Sequence, residues 1–267
     1  MFHRSDDMES SMLQTCTNLI KKAQNIVVLT GAGISTESGI KDFRSQTGLY
    51  QTSPEYILSL DNFYHNPKGF YQFAFENLYH PQALPNTGHK ILAQWEKDGR
   101  VSQIITQNID ALHQKAGSKK VIEFHGTMKT ATCQNCRKSY TAEEMIIRRN
   151  TMDDFYICDH CHTQNRKDRY IKPDVVLFGD TGEWFTIDGF NEIINIIHQA
   201  DCILVLGTSL KVTPFSTFPQ YRRDDIPLII VNKGDSPYDN TKDSYVIHDS
   251  IGETLTKINS SFHPPFA

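Results

Sequence analysis

Short apolar runs alternate along the chain with segments whose apolar residues recur at helical spacing. Mostly apolar runs predict six strands, at residues 25–30, 101–106, 120–124, 174–178, 202–206 and 227–231. Several runs are apolar at every position, which is typical of parallel strands covered by helices on both faces. Helical spacing predicts flanking helices over residues 7–23 and 189–199. The pattern therefore predicts an α/β fold with a doubly wound parallel, Rossmann-like sheet, whose ligands bind at the carboxyl ends of the strands.

Two stretches interrupt the alternation. Residues 48–88 are rich in Phe and Tyr without a strand signal, which predicts a helical insertion. Residues 127–170 contain two C-x-x-C pairs and predict an inserted metal-binding module of the zinc-ribbon type. The main domain is then discontinuous and comprises residues 1–47, 89–126 and 171–267.

Composition narrows the choice of function. The chain has 267 residues, of which 39 % are hydrophobic, so it can bury a sizeable core. A net charge of −4 gives no reason to expect a nucleic-acid partner, which a basic excess would indicate. No apolar run approaches the roughly 20 residues that span a bilayer, and the N-terminus lacks the apolar core of a signal peptide. We therefore expect a cytoplasmic protein with no membrane partner.

Four of the six cysteines form the two C-x-x-C pairs, which 21 residues separate. They are Cys133, Cys136, Cys158 and Cys161. Four thiolates without an open ligand position predict one structural zinc ion, since catalytic zinc keeps a position for water or substrate. An iron–sulfur cluster is the alternative, although it usually has different spacing. His160 and His162 flank the second pair and are less favoured as ligands.

Residues 30–45, TGAGISTESGIKDFRS, follow the first predicted strand and form a loop with three glycines. Such glycines allow the backbone to approach a phosphate, and free N–H groups can donate to it. A dinucleotide fingerprint would need glycine where Thr36 stands, and a plain tight turn is the alternative interpretation of the glycines. Asp42, Phe43 and Arg44 favour a nucleotide, because they add a carboxylate, an aromatic face and a guanidinium suited to pyrophosphate.

Polar side chains also follow two later strands. Those of the run TQNID, residues 106–110, are expected at the carboxyl edge of the sheet, where they can bind a carboxamide. A helix start capped by Asn108 or Asp110 is the alternative. His125 ends another strand, and a neutral imidazole there can act as a general base. His113 is the competing histidine, for which we expect a packing role.

Six motifs occur in an order that resembles the sirtuins, a family of NAD-dependent protein deacylases. They are GAGISTESGIKDFRS at 31–45, TQNIDALH at 106–113, EFHG at 123–126, KPDVVLFG at 172–179, GTSLKVTPF at 207–215 and VN at 231–232. The resemblance covers most of the chain. It implies an enzyme that transfers the acyl group from acetyl-lysine in proteins to the ADP-ribose of NAD, releases nicotinamide and contains one structural zinc.

The resemblance also implies roles for individual residues. The implied catalytic residues are His125, Asn108 and Asp110. The implied NAD-binding residues are Gly31, Ala32, Gly33, Thr36, Asp42, Phe43, Arg44, Gln107, Asn108, Ile109, Asp110, His125, Gly207, Thr208, Ser209, Asn232, Lys233 and Ile251. The implied contacts to the substrate backbone are Val176, Phe178, Gly179 and Val212, which clamp it as an added β-strand.

The sequence departs from the family pattern in places. Lys41 replaces a usual proline, which predicts a more mobile cofactor loop. Residues 180–182, Asp-Thr-Gly, replace a glutamate followed by Leu-Pro and alter the substrate-side rim. Tyr71 and Ala74 stand where desuccinylating sirtuins have tyrosine and arginine, so we expect acetyl to be preferred over succinyl. The alternative functions are ADP-ribosyl transfer on the same scaffold and a non-catalytic, NAD-sensing zinc-ribbon module.

Overall fold

A computed structural model describes residues 3–45, 48, 49 and 55–262, with side chains described from residue 10 onward. The helices are α1 His3–Lys22, α2 Leu60–His65, α3 Pro67–Asn77, α4 Thr87–Lys97, α5 Leu112–Ala116, α6 Ala142–Thr151, α7 Ile187–Gln199 and α8 Ile251–Ser260. The strands are β1 Ile26–Thr30, β2 Val101–Thr106, β3 Val121–Glu123, β4 Gly126–Cys133, β5 Ser139–Thr141, β6 Ile171–Val175, β7 Cys202–Leu206, β8 Leu228–Val231 and β9 Ser244–Ile247. Part of the predicted helical insertion, residues 50–54, lies outside the described residues.

The larger sheet is parallel throughout and has six strands in the order β3-β2-β1-β7-β8-β9. If the six strands of this sheet are renumbered 1 to 6 along the chain, their order is 3-2-1-4-5-6, which is the strand order of the Rossmann fold. The strand order reverses between β1 and β7, so the crevice for a ligand lies above the carboxyl ends of these two strands. The predicted doubly wound sheet is confirmed.

Alternate residues of the central strands face opposite sides, as the pleat requires. Val28 and Leu204 pack in one apolar cluster with residues of α1, α4 and α8. Val27 and Val205 pack in another with residues of α7 and of the short helix at 215–221. Burial on both faces explains why these strands are continuously apolar.

A second sheet is antiparallel, with three strands in the order β5-β4-β6. One prediction is wrong here: the run 174–178 is not a strand of the parallel sheet, because β6 ends at Val175 and pairs with β4. Conversely, β9 completes the parallel sheet at an edge, and its half-exposed residues lack the continuous apolar signal. Helices α2, α3 and α6 share a single apolar cluster with the smaller sheet and with Cys133, Cys158 and Cys161. We call this part of the molecule the small lobe.

Among the described residues, no helix combines the length and apolar character that crossing a membrane requires.

Candidate functional site

Two glycine-containing loops meet where the strand order reverses. The Gly33 N–H donates to the Gly207 carbonyl at 2.8 Å, and a β-carbon on Gly33 would lie 2.7 Å from the Gly207 Cα. Gly207 has a φ of +64°, and a β-carbon there would collide with the backbone nitrogen of Ile34. Side chains at either position would force the loops apart. The glycines are therefore required by the contact between the two loops, which the sequence did not reveal.

Asn108 ties the end of β2 to the loop after β1. Its Nδ2 donates to the Gly31 carbonyl and to the Ser35 hydroxyl, both at 3.1 Å. The Ser35 hydroxyl donates in turn to Asp110 Oδ2 at 2.6 Å. The Leu112 N–H donates to Asp110 Oδ1 at 2.9 Å, next to the start of α5. The N-cap of α5 is Ala111, which has no side-chain cap bond, so neither Asn108 nor Asp110 is the N-cap of this helix, and Asp110 belongs to a polar network at the carboxyl edge.

His125 lies in the two-residue link between β3 of the parallel sheet and β4 of the small lobe. Its Nδ1 is 3.2 Å from the Gln107 carbonyl oxygen. Because a carbonyl oxygen only accepts, we assign the ring proton to Nδ1, which leaves Nε2 as a bare acceptor. Burial lowers the pKa of His125 to about 4, against the effect of the Gln107 hydrogen bond, and the charge of Arg44 lowers it further. The imidazole is neutral at pH 7 and can accept a proton at Nε2.

The other candidate histidine, His113, lies in the interior with only 1 % of its surface exposed. Its Nε2 is 3.0 Å from the hydroxyl of Thr30, and its ring centroid is 4.8 Å from that of His89. This position agrees with the packing role expected for it.

Gln107 presents a buried donor with no partner among the described residues. Its Nε2 is enclosed and unbonded, while its Oε1 accepts from the Thr208 hydroxyl at 3.4 Å. An enclosed amide donor without a partner is costly, which points to a ligand with an acceptor oxygen at this place. Gln107 and Thr208 follow strands on either side of β1, so both residues lie at the carboxyl edge of the sheet beside the reversal point. This arrangement fits a ribose hydroxyl of NAD.

The aromatic and charged residues of the first loop have partners within the chain. Phe43 packs against the apolar cluster of the small lobe. Arg44 forms an exposed ion pair with Glu55, with Nη2 and Oε1 2.7 Å apart. Asp42 Oδ1 accepts from the Ser45 N–H at 3.1 Å. Contacts of these residues with pyrophosphate remain a prediction.

The residues predicted to contact the adenosine half differ in their surroundings. Lys233 is exposed at the end of β8. Asn232 precedes it and donates from Nδ2 to the Gly234 carbonyl at 2.6 Å. Ile251, the first residue of α8, is 6 % exposed and packs in the apolar cluster with Ile34. Its side chain is therefore part of the core, and the contact of Ile251 with the adenosine half remains a prediction.

The predicted substrate segment runs beside His125. The predicted residues are Val176, Phe178, Gly179 and Val212. The Val176 N–H donates to the His125 carbonyl at 2.9 Å. Phe178 is 41 % exposed, but its N–H donates to Leu58 and its carbonyl accepts from the N–H of Leu60. The N–H groups of Val176 and Phe178 are therefore used within the chain, so pairing with a substrate strand falls to other backbone groups.

The four cysteines converge in the small lobe. Their sulfur atoms all lie within 4.8 Å of one another, with Cys133 to Cys161 at 3.9 Å and Cys136 to Cys158 at 3.7 Å. Tetrahedral zinc with Zn–S bonds of about 2.3 Å places the sulfurs about 3.8 Å apart. Neither His160 nor His162 joins the cluster that the described residues form. The set fits the predicted structural zinc.

Sequence reasoning missed two residues that fix the first loop. Glu37 Oε1 accepts from the Ser250 hydroxyl and the Gly252 N–H, both at 3.0 Å, and so joins the loop to the start of α8. Asn86 Nδ2 donates to the Ile34 carbonyl at 2.7 Å. Glu37 lies inside the glycine-rich motif, and Asn86 directly precedes α4, but neither position reveals a partner so far away in sequence.

The fold and the site define a nucleotide-binding α/β protein with a histidine acceptor beside the crevice and a cysteine cluster in a separate lobe. The Sir2 family model matches residues 31–214, which is more than half of the chain. The NAD-dependent protein deacetylase of Thermotoga maritima is 40 % identical over 225 residues, which cover 84 % of this chain and 87 % of the relative. The NAD-dependent protein deacetylase of Listeria monocytogenes is 44 % identical over 216 residues, which cover 80 % of this chain and 87 % of the relative.

The solved structure of Sir2Tm bound to a propionylated peptide has a TM-score of 0.80 and 36 % identity, and the match covers 94 % of this chain and 98 % of that one. The chain belongs to the Sir2, or sirtuin, family, as its motifs predicted.

Proposed function

We propose that this protein is an NAD-dependent protein lysine deacetylase. The enzyme transfers the acyl group from lysine to the ADP-ribose of NAD and releases nicotinamide. The family membership and the names of the relatives support this proposal. The observation that carries it is the His125 imidazole, whose Nδ1 is held by the Gln107 carbonyl at 3.2 Å while Nε2 is left to accept a proton.

NAD supplies a ribose carbon that nicotinamide leaves and that the acyl oxygen can attack. The chain's own residues bind and orient it. Gln107 Nε2 would donate to a ribose oxygen, and Asn108 and Asp110 hold the loop after β1 in place beside it. His125 takes the proton from a ribose hydroxyl at Nε2, which its low pKa keeps free at neutral pH.

The substrate is an acetyl-lysine side chain in a protein. Sir2Tm has been solved with a propionylated peptide, which is consistent with a site for a short neutral acyl group. For this chain we also propose a cytoplasmic location and no nucleic-acid partner. The net charge of −4 supports the second of these two statements.

The test measures nicotinamide release from NAD with matched acetyl-lysine and unmodified peptides, followed by mass spectrometry of the peptide. Loss of the acetyl mass only when NAD is present supports a deacetylase. Gain of an ADP-ribose mass on the peptide would instead favour ADP-ribosyl transfer. Absence of peptide-dependent nicotinamide release from zinc-loaded protein would reject the proposal.

A further inference from the structure

A buried ion pair lies beneath the segment that follows β6. Lys172 Nζ is 2.8 Å from Asp180 Oδ2, and the two side chains are 10 % and 15 % exposed. The same ammonium donates to the carbonyls of Pro173 at 3.1 Å and Val175 at 2.7 Å. An ammonium has three protons, so all of its donors are used. Lys172 thus ties the end of β6 to a residue five positions beyond it.

The chain between these two ties runs along the candidate site. Val176 is bonded to the His125 carbonyl, and Phe178 is bonded to the segment at 58–60. Gly179 then turns with a φ of +83°, and the Asp180 N–H donates to the Leu177 carbonyl at 2.9 Å. The segment is therefore fixed to His125 at Val176, and its Phe178 side chain is 41 % exposed.

We propose that the Lys172–Asp180 ion pair is a positioning device that holds residues 176–179 in the course that an acyl-lysine peptide needs for binding. The inference rests on the proposed deacetylase function. Asp180 stands where the family usually has glutamate, and its shorter side chain still reaches Lys172. Neither residue belongs to the proposed catalytic set. Their contribution is to keep residues 176–179 in one fixed conformation.

The physical reason is the environment of the pair. Removing one partner of a buried ion pair leaves an uncompensated charge, and the chain must move to solvate it. Without Asp180 the ammonium keeps only its backbone carbonyl partners, and solvation of its charge favours opening of the turn at 179–180, which frees the segment on one side. A peptide would then have to order that segment on binding, which weakens its affinity. NAD binding and the chemical step depend on other residues and should change little.

The test compares Asp180→Ala with Asp154→Ala in the zinc-loaded protein. Asp154 is a matched control because it also forms an ion pair, with Arg166 at 2.7 Å, but both side chains are more than half exposed. We expect Asp180→Ala to raise KM for the acetyl peptide by about tenfold or more, while kcat and the Kd for NAD stay within about threefold. Asp154→Ala should leave all three constants near those of the wild type. Asp180→Glu should restore most of the peptide affinity.

A second variant covers the case in which Asp180→Ala fails to fold. Replacing both partners, Lys172→Met with Asp180→Leu, removes the tie without leaving a buried charge, so the protein should stay folded. The same rise in peptide KM is expected. If the wild type is active and this double variant has an unchanged peptide KM, the inference is overturned while the proposed function stands. A wild type that does not deacetylate would overturn the proposed function and this inference together.

Discussion

Two buried histidines beneath the cofactor loop should make the stability of the protein depend on pH. His89 is 0 % and His113 is 1 % exposed, and their rings are in edge contact. His89 Nδ1 is 3.0 Å from Asn86 Oδ1, and His113 Nε2 faces the hydroxyl of Thr30, which donates to Thr106. Each histidine therefore donates through one nitrogen. The other nitrogens, His89 Nε2 and His113 Nδ1, have no partner among the described side chains.

Both rings are neutral in the folded protein. Burial lowers the pKa of His89 to about 4, although Asp110 and Glu37 act in the opposite direction. Burial, assisted by His89, lowers the pKa of His113 to about 3. In the unfolded chain each pKa is about 6.5, so below that pH the unfolded state binds more protons.

The free energy of unfolding should therefore fall as the pH drops below about 6.5. At pH 5 each histidine lowers it by about 2 kcal/mol relative to pH 8, or about 4 kcal/mol for the pair. Replacing one histidine by an amide that keeps its existing hydrogen bond should remove about half of this dependence. His89→Asn retains a donor toward Asn86, and His113→Gln retains one toward Thr30.

The measurement is urea unfolding at pH 8, 6.5 and 5, followed by the fluorescence of the two tryptophans, of which Trp95 is fully buried. The quantity to compare is the loss of unfolding free energy between pH 8 and 5 in each variant and in the wild type. The zinc site and the carboxylates contribute equally in the wild type and in the variants. Their contributions therefore cancel when the losses of unfolding free energy are compared. A loss that is equal in all of them would refute neutral burial of the pair.

Three further predictions concern the chemistry. His125→Ala should lower kcat by about 10²- to 10⁴-fold and leave the Kd for NAD largely unchanged, as loss of a general base does; near-normal turnover would remove His125 from the mechanism. The protein should contain one zinc per chain, and a chelator should unfold the small lobe and abolish activity; active, metal-free protein would contradict this. Acetyl-lysine should be preferred over succinyl-lysine in kcat/KM, because Ala74 offers no cation for a buried carboxylate; equal values would mean that another cation serves the site.

Sequence reasoning succeeded where a local pattern determines the structure. The buried parallel strands are continuously apolar because helices cover both of their faces. The two C-x-x-C pairs are typical of a tetrahedral zinc site. The run at 174–178 was misassigned for the same reason. It is apolar because the small lobe buries Val175 and Leu177, and burial alone does not tell which sheet a strand joins.

The residues that hold the site in place could not be predicted in the same way. Glycine is required at positions 33 and 207 because the two loops touch there. Glu37 accepts a hydrogen bond from a helix that begins more than 200 residues later. The tie between Lys172 and Asp180 is likewise a property of the folded turn. Such contacts depend on the packing of elements that are distant in sequence, and a single sequence contains no signal for them.

The position of His125 gives a physical reason to expect that activity needs the zinc ion although the metal has no catalytic role. The residue lies between β3 of the parallel sheet and β4 of the small lobe, and Cys133 is the last residue of β4. Gly126, the next residue, has a φ of +77° and packs against the Asp174 carbonyl of β6, so the link is fixed from the small lobe as well. Loss of the metal frees the far end of β4. We therefore expect metal loss to loosen β4 and its pairing with β6, including the Val176 N–H bond to the His125 carbonyl, and so to disturb the imidazole that the Gln107 carbonyl orients.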